Sequence, residues 1–339
     1  MPCRKNRTEK KGRITYIMKI LYVHGFASSG HSGTTQHLHQ TLPEAEIVAP
    51  DLPEKPSEAL ELLQILCKKE NPDLIIGSSM GGMYAEQLYG YPRILVNPAF
   101  EMADTLMKNL GLGRHAYLSP REDGVKDLLV TKSTIQEFRS VTDRSFSGAE
   151  AEDKRIVYGL FGKRDPLVNT YDLFASHYPN AVRFDGEHRL NDHAFHHSVL
   201  PLIHRLSDLT NGTERAKIVI SIDCLRRRND KEASGYELLP SALKAVETLY
   251  YTYDLYFLIP SPTYGTESLD EARAWIEEHI GVPAYDRLVY TTHAELLYAD
   301  HLISREEHPN ALGGQHVFGQ PAMKTWDDVL EYFSHMGGQ

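Results

Sequence analysis

Short apolar runs alternate with longer amphipathic segments over the first part of the chain. Each run has the length and composition of a buried strand; the runs span residues 20–23, 46–53, 74–76, 94–96, 155–162 and 181–184. The other segments carry apolar residues at helical spacing and span residues 34–42, 57–69, 83–88 and 196–206. Because strands alternate with helices, the pattern predicts an α/β fold with a mostly parallel sheet covered on both faces.

A G-x-S-x-G pattern with Ser79 at its centre follows the run at 74–76. A serine at a sharp strand-to-helix turn needs neighbours without bulk, and Gly77 and Gly81 supply them. The Ser79 hydroxyl would then face solvent at the carboxyl edge of the sheet, and the N–H of Met80 would face an oxyanion on an attacked carbonyl. A Gly/Ser turn that only links a strand to a helix fits the same residues, because short patterns recur by chance.

Two further polar groups follow later strands at the same predicted edge of the sheet. Asp165 comes after the run at 155–162, and His188 comes after the run at 181–184. The order Ser, Asp, His is the one that α/β-hydrolases use, and their second oxyanion donor sits in a loop after an early strand, here at Phe26. The sequence therefore predicts a nucleophile, an orienting acid, a base and two N–H donors, with neither a metal nor an organic cofactor required.

Each partner has an alternative interpretation. Asp165 precedes a proline and could be a turn former. The base could be any of four nearby histidines, which with Asp192 could instead bind a metal ion. The four are His188, His193, His196 and His197. We favour His188 because it follows the strand directly.

The segments outside these elements suggest the domain organisation. Residues 1–17 are basic and polar without an apolar core, which is not a secretory signal, and we expect a disordered tail or an upstream start before Met18. Residues 100–152 are irregular, charged and partly helical, which suits a cap inserted over the site of the domain at 18–209. Residues 210–214 are polar and are interpreted as a linker to a second domain at 215–339.

The composition limits the partners and the compartment. The chain has 339 residues, of which 41% are hydrophobic and 24% charged, as in ordinary soluble proteins. A net charge of −10 argues against nucleic acid as the main partner, and no apolar run reaches the roughly 18 residues of a membrane span. Three scattered cysteines indicate a reducing compartment, so we expect a cytoplasmic protein that acts on a small molecule.

Five segments together resemble the YqiA-type family of small bacterial α/β-hydrolase esterases over residues 18–209. They are residues 24–29, 49–53, 77–82, 96–99 and 185–188. The resemblance implies an α/β-hydrolase three-layer sandwich that cleaves a carboxylic ester or thioester. It also implies Ser79 as nucleophile, Asp165 as acid and His188 as base. One departure is Gly186-Glu187-His188-Arg189, where the family usually has Gly-Gly-Asn-His.

A second alternation of strands and helices begins after the linker. The predicted strands and helices span residues 217–223, 239–250, 255–259, 268–280 and 287–290. Residues 218–224, 253–256, 292–293, 300–303 and 316–319 resemble the haloacid dehalogenase (HAD) superfamily, in particular deoxyribonucleotidase-like phosphatases. The resemblance implies a second, Rossmann-like α/β domain.

The residues that carry out phosphatase chemistry in that superfamily are replaced here. In place of the Asp-x-Asp opening the chain has Ser221-Ile222-Asp223, so a serine stands where the superfamily has its phosphate-accepting carboxylate. The lysine position holds Glu295, and the metal-binding acidic pair is Ser304-Arg305, although Asp300 remains. We therefore expect a catalytically silent domain. The alternatives are a Mg-dependent phosphatase, which would make the protein bifunctional, and a non-catalytic scaffold.

Overall fold

The computed structural model describes residues 7–10, 13–229, 231–232, 235–260 and 267–336. The chain divides into two units. The N-terminal unit is Met1–Phe195 with Arg205–Asn211, and the C-terminal unit is His196–His204 with Gly212–Gln339. This division differs from the predicted domains in one segment, because residues 196–204 group with the C-terminal unit.

The N-terminal unit is built on a six-stranded sheet in which every neighbouring pair is parallel. The strands of this unit are β1 (Arg7–Lys10), β2 (Arg13–Tyr16), β3 (Lys19–Val23), β4 (Glu46–Val48), β5 (Leu74–Ser78), β6 (Arg93–Val96), β7 (Gly113–Ala116), β8 (Asp127–Val130), β9 (Val157–Gly162) and β10 (Ala181–Phe184). The sheet has the order β10-β9-β6-β5-β3-β4. All residues of β3 and β6 are buried, as expected for parallel strands covered on both faces.

Helices connect these strands, and several begin at recognisable capping residues. They are α1 (Gly33–Thr41), α2 (Pro56–Glu70), α3 (Met80–Glu86), α4 (Met102–Asn109), α5 (Lys132–Thr142), α6 (Asp153–Ile156), α7 (Tyr171–Ala175) and α8 (Asp192–Ala194). The Ser32 hydroxyl accepts the Thr35 N–H at the start of α1, and Thr131 forms a capping box with Thr134 at the start of α5. The predicted parallel α/β fold is confirmed, and the strand order with its Ser79 turn is that of an α/β-hydrolase.

Three predicted boundaries differ in the structure. Of the predicted disordered tail, residues 7–10 and 13–16 pair as an antiparallel hairpin, and residues 1–6, 11 and 12 lie outside the described residues. The helix predicted at 196–206 is a π-helical turn at Phe195–Val199 followed by α9 (Leu200–Asn211). The predicted linker at 210–214 therefore begins within a helix.

The segment predicted as a cap contains regular structure. It comprises α4, the antiparallel hairpin of β7 and β8, and α5. Phe138 on α5 is 2% exposed, and Leu106 on α4 is 2% exposed, so both helices contribute to the hydrophobic core of this unit.

The C-terminal unit confirms the predicted second α/β unit. Its strands are β11 (Lys217–Ser221), β12 (Arg226–Arg228), β13 (Tyr236–Leu238), β14 (Asp254–Pro260), β15 (Leu288–Thr291), β16 (Tyr298–Ser304) and β17 (Leu312–Val317). Five of them form a parallel sheet in the order β15-β14-β11-β16-β17. Its helices are α10 (Ala242–Tyr250), α11 (Leu269–His279) and α12 (Trp326–Met336). Across the part of the chain that the structure describes, no helix has both the length and the apolar character to cross a bilayer.

Candidate active site

Ser79 occupies the turn between β5 and α3, and its backbone has a conformation that residues other than glycine rarely adopt. Its φ of 55° and ψ of −117° lie outside the ordinary allowed regions, and a residue held there costs about 1–3 kcal/mol. The Ser79 N–H donates to the carbonyl oxygen of Val96 at a distance of 2.9 Å. The end of the neighbouring strand β6 thus holds the turn.

The two glycines beside Ser79 are required by close backbone contacts. A Cβ atom at Gly77 would lie 2.4 Å from the carbonyl oxygen of Gly81, and one at Gly81 would lie 2.0 Å from the carbonyl oxygen of Val23. Both distances are well below van der Waals contact. Glycine therefore allows α3 to approach β3 and β5, and this approach forms the sharp turn at Ser79.

Ser79, His188 and Asp165 lie in a continuous chain of hydrogen bonds. His188 Nε2 is 3.0 Å from Ser79 Oγ, and His188 Nδ1 is 2.8 Å from Asp165 Oδ2. The three side chains come from the ends of β5, β9 and β10, at the carboxyl edge of the sheet. The structure brings all three predicted residues together.

The surroundings of Asp165 keep its carboxylate charged. Burial raises the pKa of Asp165, but hydrogen bonds from His188 and from the backbone N–H groups of Leu167 and Val168 outweigh burial, so the pKa lies below its ordinary value. The two N–H groups donate to Oδ1 at 2.8 and 3.1 Å. Asp165 does lie in a turn, as the alternative interpretation held, and its second oxygen remains available to His188.

The loop after β3 lies directly beside Ser79. A Cβ atom at Gly25 would lie 3.5 Å from the Cβ atom of Ser79, and the next residue is Phe26. His24 shapes this loop, because its Nδ1 donates to the Gly25 carbonyl at 2.8 Å and its Nε2 accepts the Leu52 N–H at 3.1 Å. Only a neutral imidazole makes both bonds, and burial lowers the pKa of His24 accordingly. Met80, the other predicted oxyanion donor, is the first residue of α3.

A cavity of about 780 Å³ opens beside Ser79 and His188. Its apolar wall includes Phe26, Leu106, Leu110, Leu118, Leu167 and Phe195. Leu106 comes from α4, and Leu118 comes from the loop between β7 and β8, so the segment at 100–152 contributes to the wall as a cap would. Leu118 is 67% exposed and Leu167 is 46% exposed, which leaves apolar surface available to a ligand.

The other histidines of the predicted cluster do not assemble a metal site with His188. His193 and His196 are exposed, and His197 Nδ1 is 2.9 Å from Oε1 of Glu247. Among the described residues, no group of three or more His, Cys, Asp and Glu side chains is arranged to hold a metal ion. The geometry therefore favours His188 as the partner of Ser79.

Asn97 is a central residue of the site to which the sequence assigned no role. It follows β6 with φ 45° and is 1% exposed. Its side-chain amide connects the end of β9 with the loop that carries His188. Ala99, two residues later, donates its N–H to the carbonyl oxygen of Ser79 at 3.0 Å. The Asn-Pro-Ala segment at 97–99, part of one of the segments that resemble the YqiA-type family, was the available signal, but the bonding partners of Asn97 lie up to 91 positions away.

The predicted residues of the C-terminal unit are brought together only in part. A small pocket of about 150 Å³ is lined by Ser221, Asp223, Thr291, Thr292, Ser304 and Arg305, among others. Arg305 Nε donates to the Asp223 carbonyl oxygen at 2.7 Å, and Ser304 Oγ donates to the Glu306 carbonyl oxygen at 2.6 Å. Ser221, Asp223 and Ser304 therefore share one site, as the resemblance implies.

Glu295 and Asp300 have other partners. The Glu295 carboxylate is 2.8 Å from His293 Nδ1, and this hydrogen bond lowers the pKa of Glu295. The Asp300 carboxylate accepts the N–H of Lys217 at 2.7 Å, at the amino end of β11, whereas Ser221 is at its carboxyl end. Asp300 supports local structure at the end of β11 away from Ser221, which corrects its assignment to the degenerate site, whereas Glu295 directly follows Ala294, which lines the pocket.

The chain matches a family model and, over a shorter stretch, a curated relative. The model of the uncharacterised protein family UPF0227 matches residues 19–203, the segment in which the sequence resembles YqiA-type esterases. The relative is a "Putative 5'(3')-deoxyribonucleotidase" of Vibrio phage KVP40, 30% identical over 100 residues, which are 28% of this chain. The match spans 58% of the length of that relative, so the resemblance of the C-terminal unit to phosphatases stays a prediction.

Solved structures, among them an α/β-hydrolase, resemble the chain at low identity. GrgF from Penicillium sp. sh18 is 12% identical, with 57% of this chain and 89% of that chain covered and a TM-score of 0.38. Est1E from Butyrivibrio proteoclasticus is 15% identical, with 58% and 86% covered and a TM-score of 0.36. At these scores the likeness adds nothing to what the strand order and the Ser79 turn establish.

Proposed function

The chain belongs to the uncharacterised protein family UPF0227 through residues 19–203, and on that premise we propose that it is a serine hydrolase that cleaves a carboxylic ester or thioester through an acyl-enzyme on Ser79. The observation that carries this proposal is the hydrogen-bonded series from Ser79 Oγ through His188 to Asp165, with distances of 3.0 and 2.8 Å. It lies at the carboxyl edge of an α/β-hydrolase sheet and opens onto a partly apolar cavity.

The reaction follows from the roles that this geometry allows. Ser79 Oγ attacks the carbonyl carbon while His188 Nε2 takes the hydroxyl proton, and the same proton then passes to the leaving alcohol or thiol. The acyl-enzyme remains on Ser79. A water molecule attacks the acyl carbon with His188 again as base, which releases the carboxylic acid and restores the Ser79 hydroxyl.

The remaining residues stabilise the charges that develop in these steps. Asp165, whose pKa is low enough to keep it ionised, accepts the Nδ1–H of His188 and stabilises the imidazolium. The N–H groups of Phe26 and Met80 hold the negative oxygen of the tetrahedral intermediate. Loss of one such donor in an oxyanion hole costs about 10²–10³ in kcat.

The test is labelling and turnover. A fluorophosphonate probe should label the protein once, at Ser79, and p-nitrophenyl esters of increasing chain length should be hydrolysed. Ser79→Ala should abolish both signals, and Ser78→Ala is the matched control that should retain them. Labelling of Ser79→Ala at the rate of the parent protein would overturn the proposal.

We further propose that the C-terminal unit does not hydrolyse phosphate esters and has a structural or regulatory role. The support lies in its pocket, where Ser221 offers a neutral hydroxyl in place of a carboxylate and Arg305 contributes a cation. Glu295 and Asp300 point to the same conclusion, because both carboxylates bind other groups. Mg²⁺ in such sites is usually bound by carboxylate oxygens, and among the described residues no group of three or more His, Cys, Asp and Glu side chains is arranged to hold a metal ion.

A further inference from the structure

We propose that Asn97 positions His188 for proton transfer with Ser79. Asn97 follows β6, which lies in the sheet between β5, the strand that leads to Ser79, and β9, the strand that leads to Asp165. It touches none of the reacting atoms and acts through the backbone. The role rests on the proposed function, because it concerns how the base of that reaction is held.

The amide of Asn97 uses both its hydrogens on the loop that carries the base. Nδ2 donates to the carbonyl oxygens of Glu187 at 2.9 Å and of His188 at 3.1 Å. A primary amide has two N–H donors, so its donor capacity is filled. The backbone from which the imidazole extends is therefore fixed by one buried side chain, at 1% exposure.

The same amide also holds the loop that carries Asp165. Its Oδ1 accepts the N–H of Gly162 at 2.7 Å, and Gly162 in turn accepts the N–H of Asp165 through its carbonyl oxygen at 3.2 Å. A Cβ atom at Gly162 would lie 2.8 Å from the Glu187 carbonyl oxygen, so the two loops are in direct contact. Asn97 thus sets the spacing between the orienting acid and the base.

The departure of this sequence at residue 187 is consistent with that role. In the run where the YqiA-type family usually has Gly-Gly-Asn-His, this chain has glutamate at position 187, and Glu187 is exposed. Asn97 binds the backbone carbonyl of residue 187, which every amino acid provides. The loop is therefore held equally well with glutamate at this position.

If Asn97 were needed only for its backbone conformation, the effect of replacing it with glycine would be different. Its φ of 45° is left-handed, a conformation that asparagine tolerates better than most residues and that glycine adopts freely. If the backbone conformation were the whole requirement, glycine would replace asparagine without loss. If the side-chain bonds position His188, glycine fails.

Two substitutions separate these possibilities. Asn97→Gly keeps the backbone conformation and removes all three bonds, and Asn97→Asp keeps the acceptor for Gly162 and removes the two donors to the His188 loop. With p-nitrophenyl acetate we expect kcat to fall about 10²-fold in both, since small misplacements of reacting groups have effects of this size. KM should stay within about twofold, because the substrate cavity is unchanged.

Asn180, which directly precedes β10, provides a control at the opposite end of the same sheet. Its Nδ2 donates to the carbonyl oxygens of Lys154 and Val157, both at 3.2 Å, near the amino end of β9 and away from Ser79. Asn180→Ala should lower the free energy of unfolding by a similar amount to the Asn97 variants and leave kcat within about twofold of the parent. Equal loss of kcat in Asn97→Gly and Asn180→Ala would show that stability alone was lost, and would overturn the proposal.

A measurement that needs no turnover completes the test. In protein labelled with ¹⁵N at histidine, His188 should give one ordered ring spectrum that broadens or splits in Asn97→Gly but not in Asn180→Ala. Parental kcat or an unchanged His188 spectrum in Asn97→Gly would overturn the positioning role. An ordered His188 that depends on Asn97 in a protein that cleaves no ester would instead remove the proposed function and support the positioning role.

Discussion

The guanidinium of Arg93 donates to the backbone carbonyl oxygen of Glu86. The carboxylate of Glu86 instead accepts hydrogen bonds from uncharged groups. Both side chains are fully buried. Glu86, at the end of α3, accepts the Tyr178 hydroxyl at 2.8 Å and the Phe146 N–H at 2.9 Å, whereas the ion pair of Arg93 is with Asp153. Burial raises the pKa of Glu86 above its ordinary value of 4.5, and these hydrogen bonds offset only part of the effect.

This arrangement predicts a pH dependence of stability. The folded state holds the Glu86 proton more tightly than the unfolded state, so this group's contribution to stability is full below pH 4.5 and is lost as pH rises through the raised pKa. The free energy of unfolding of Glu86→Gln, relative to the parent, should therefore increase with pH over that window and then level off. Urea denaturation of both proteins at several pH values measures the difference, and parallel curves would contradict the prediction.

Loss of Asp153, the buried ion-pair partner of Arg93, should lower the free energy of unfolding far more than loss of a carboxylate in an exposed ion pair. Asp153→Ala leaves the guanidinium charged at 0% exposure, and breaking a buried pair in this way costs about 3–5 kcal/mol. The control is Asp104→Ala, which removes the partner of Arg139 in a pair with both side chains more than 60% exposed, and which should cost less than about 1 kcal/mol. Unfolding in urea compares the two, and similar losses would show that Asp153 is not needed to compensate Arg93.

The sequence predicts those parts of the site that depend on local order along the chain. Ser79, Asp165 and His188 each follow an apolar run, and parallel strands bring such positions to one edge. Asn97 could not be found this way, because its role depends on backbone atoms 65 to 91 positions away. Asp300 was misassigned for the converse reason. Its carboxylate lies near a motif position in the sequence, but it binds the start of β11. This contact depends on how β16 pairs with β11, which the local sequence does not show.

The glycine at the start of α3 should tolerate no side chain. Gly81→Ala places a Cβ atom 2.0 Å from the Val23 carbonyl oxygen, a backbone atom that cannot rotate away. Overpacking of this kind costs about 1–3 kcal/mol, and the shift of α3 should also slow fluorophosphonate labelling of Ser79. Gly33→Ala, in α1, is the control, because nothing lies within 4 Å of its added Cβ atom. That change should be neutral or stabilise by up to about 1 kcal/mol. Equal effects would show that α3 can move away.

Replacement of single histidines distinguishes the base from the former metal candidates. His188→Ala should lower kcat with p-nitrophenyl acetate by about 10²–10⁴, since a general base contributes that much. His193→Ala, which removes an exposed side chain five residues later, should leave kcat within about threefold. Activity that survives His188→Ala and disappears with EDTA would favour a metal site in this segment instead.

The pocket of the C-terminal unit should release no phosphate, and no single substitution should make it do so. Phosphoryl transfer in the resembled superfamily needs a carboxylate as acceptor and Mg²⁺ to neutralise the phosphate oxygens. Ser221→Asp would restore the acceptor but leave Arg305, whose Nε is bonded to the Asp223 carbonyl oxygen, as a cation beside the metal position.

This prediction can be measured with the full-length Ser79→Ala protein, which removes any ester hydrolysis by the N-terminal unit. Phosphate release from p-nitrophenyl phosphate and a panel of nucleotides in Mg²⁺ or Mn²⁺ should equal the background, with and without Ser221→Asp. Asp223→Asn is the matched control, because it removes the carboxylate that the pocket retains and changes little in volume. Metal-dependent release that disappears in Asp223→Asn would show an active phosphatase and make the protein bifunctional. Release that appears only in Ser221→Asp would show that Arg305 does not prevent metal binding and that the missing carboxylate alone had silenced the site.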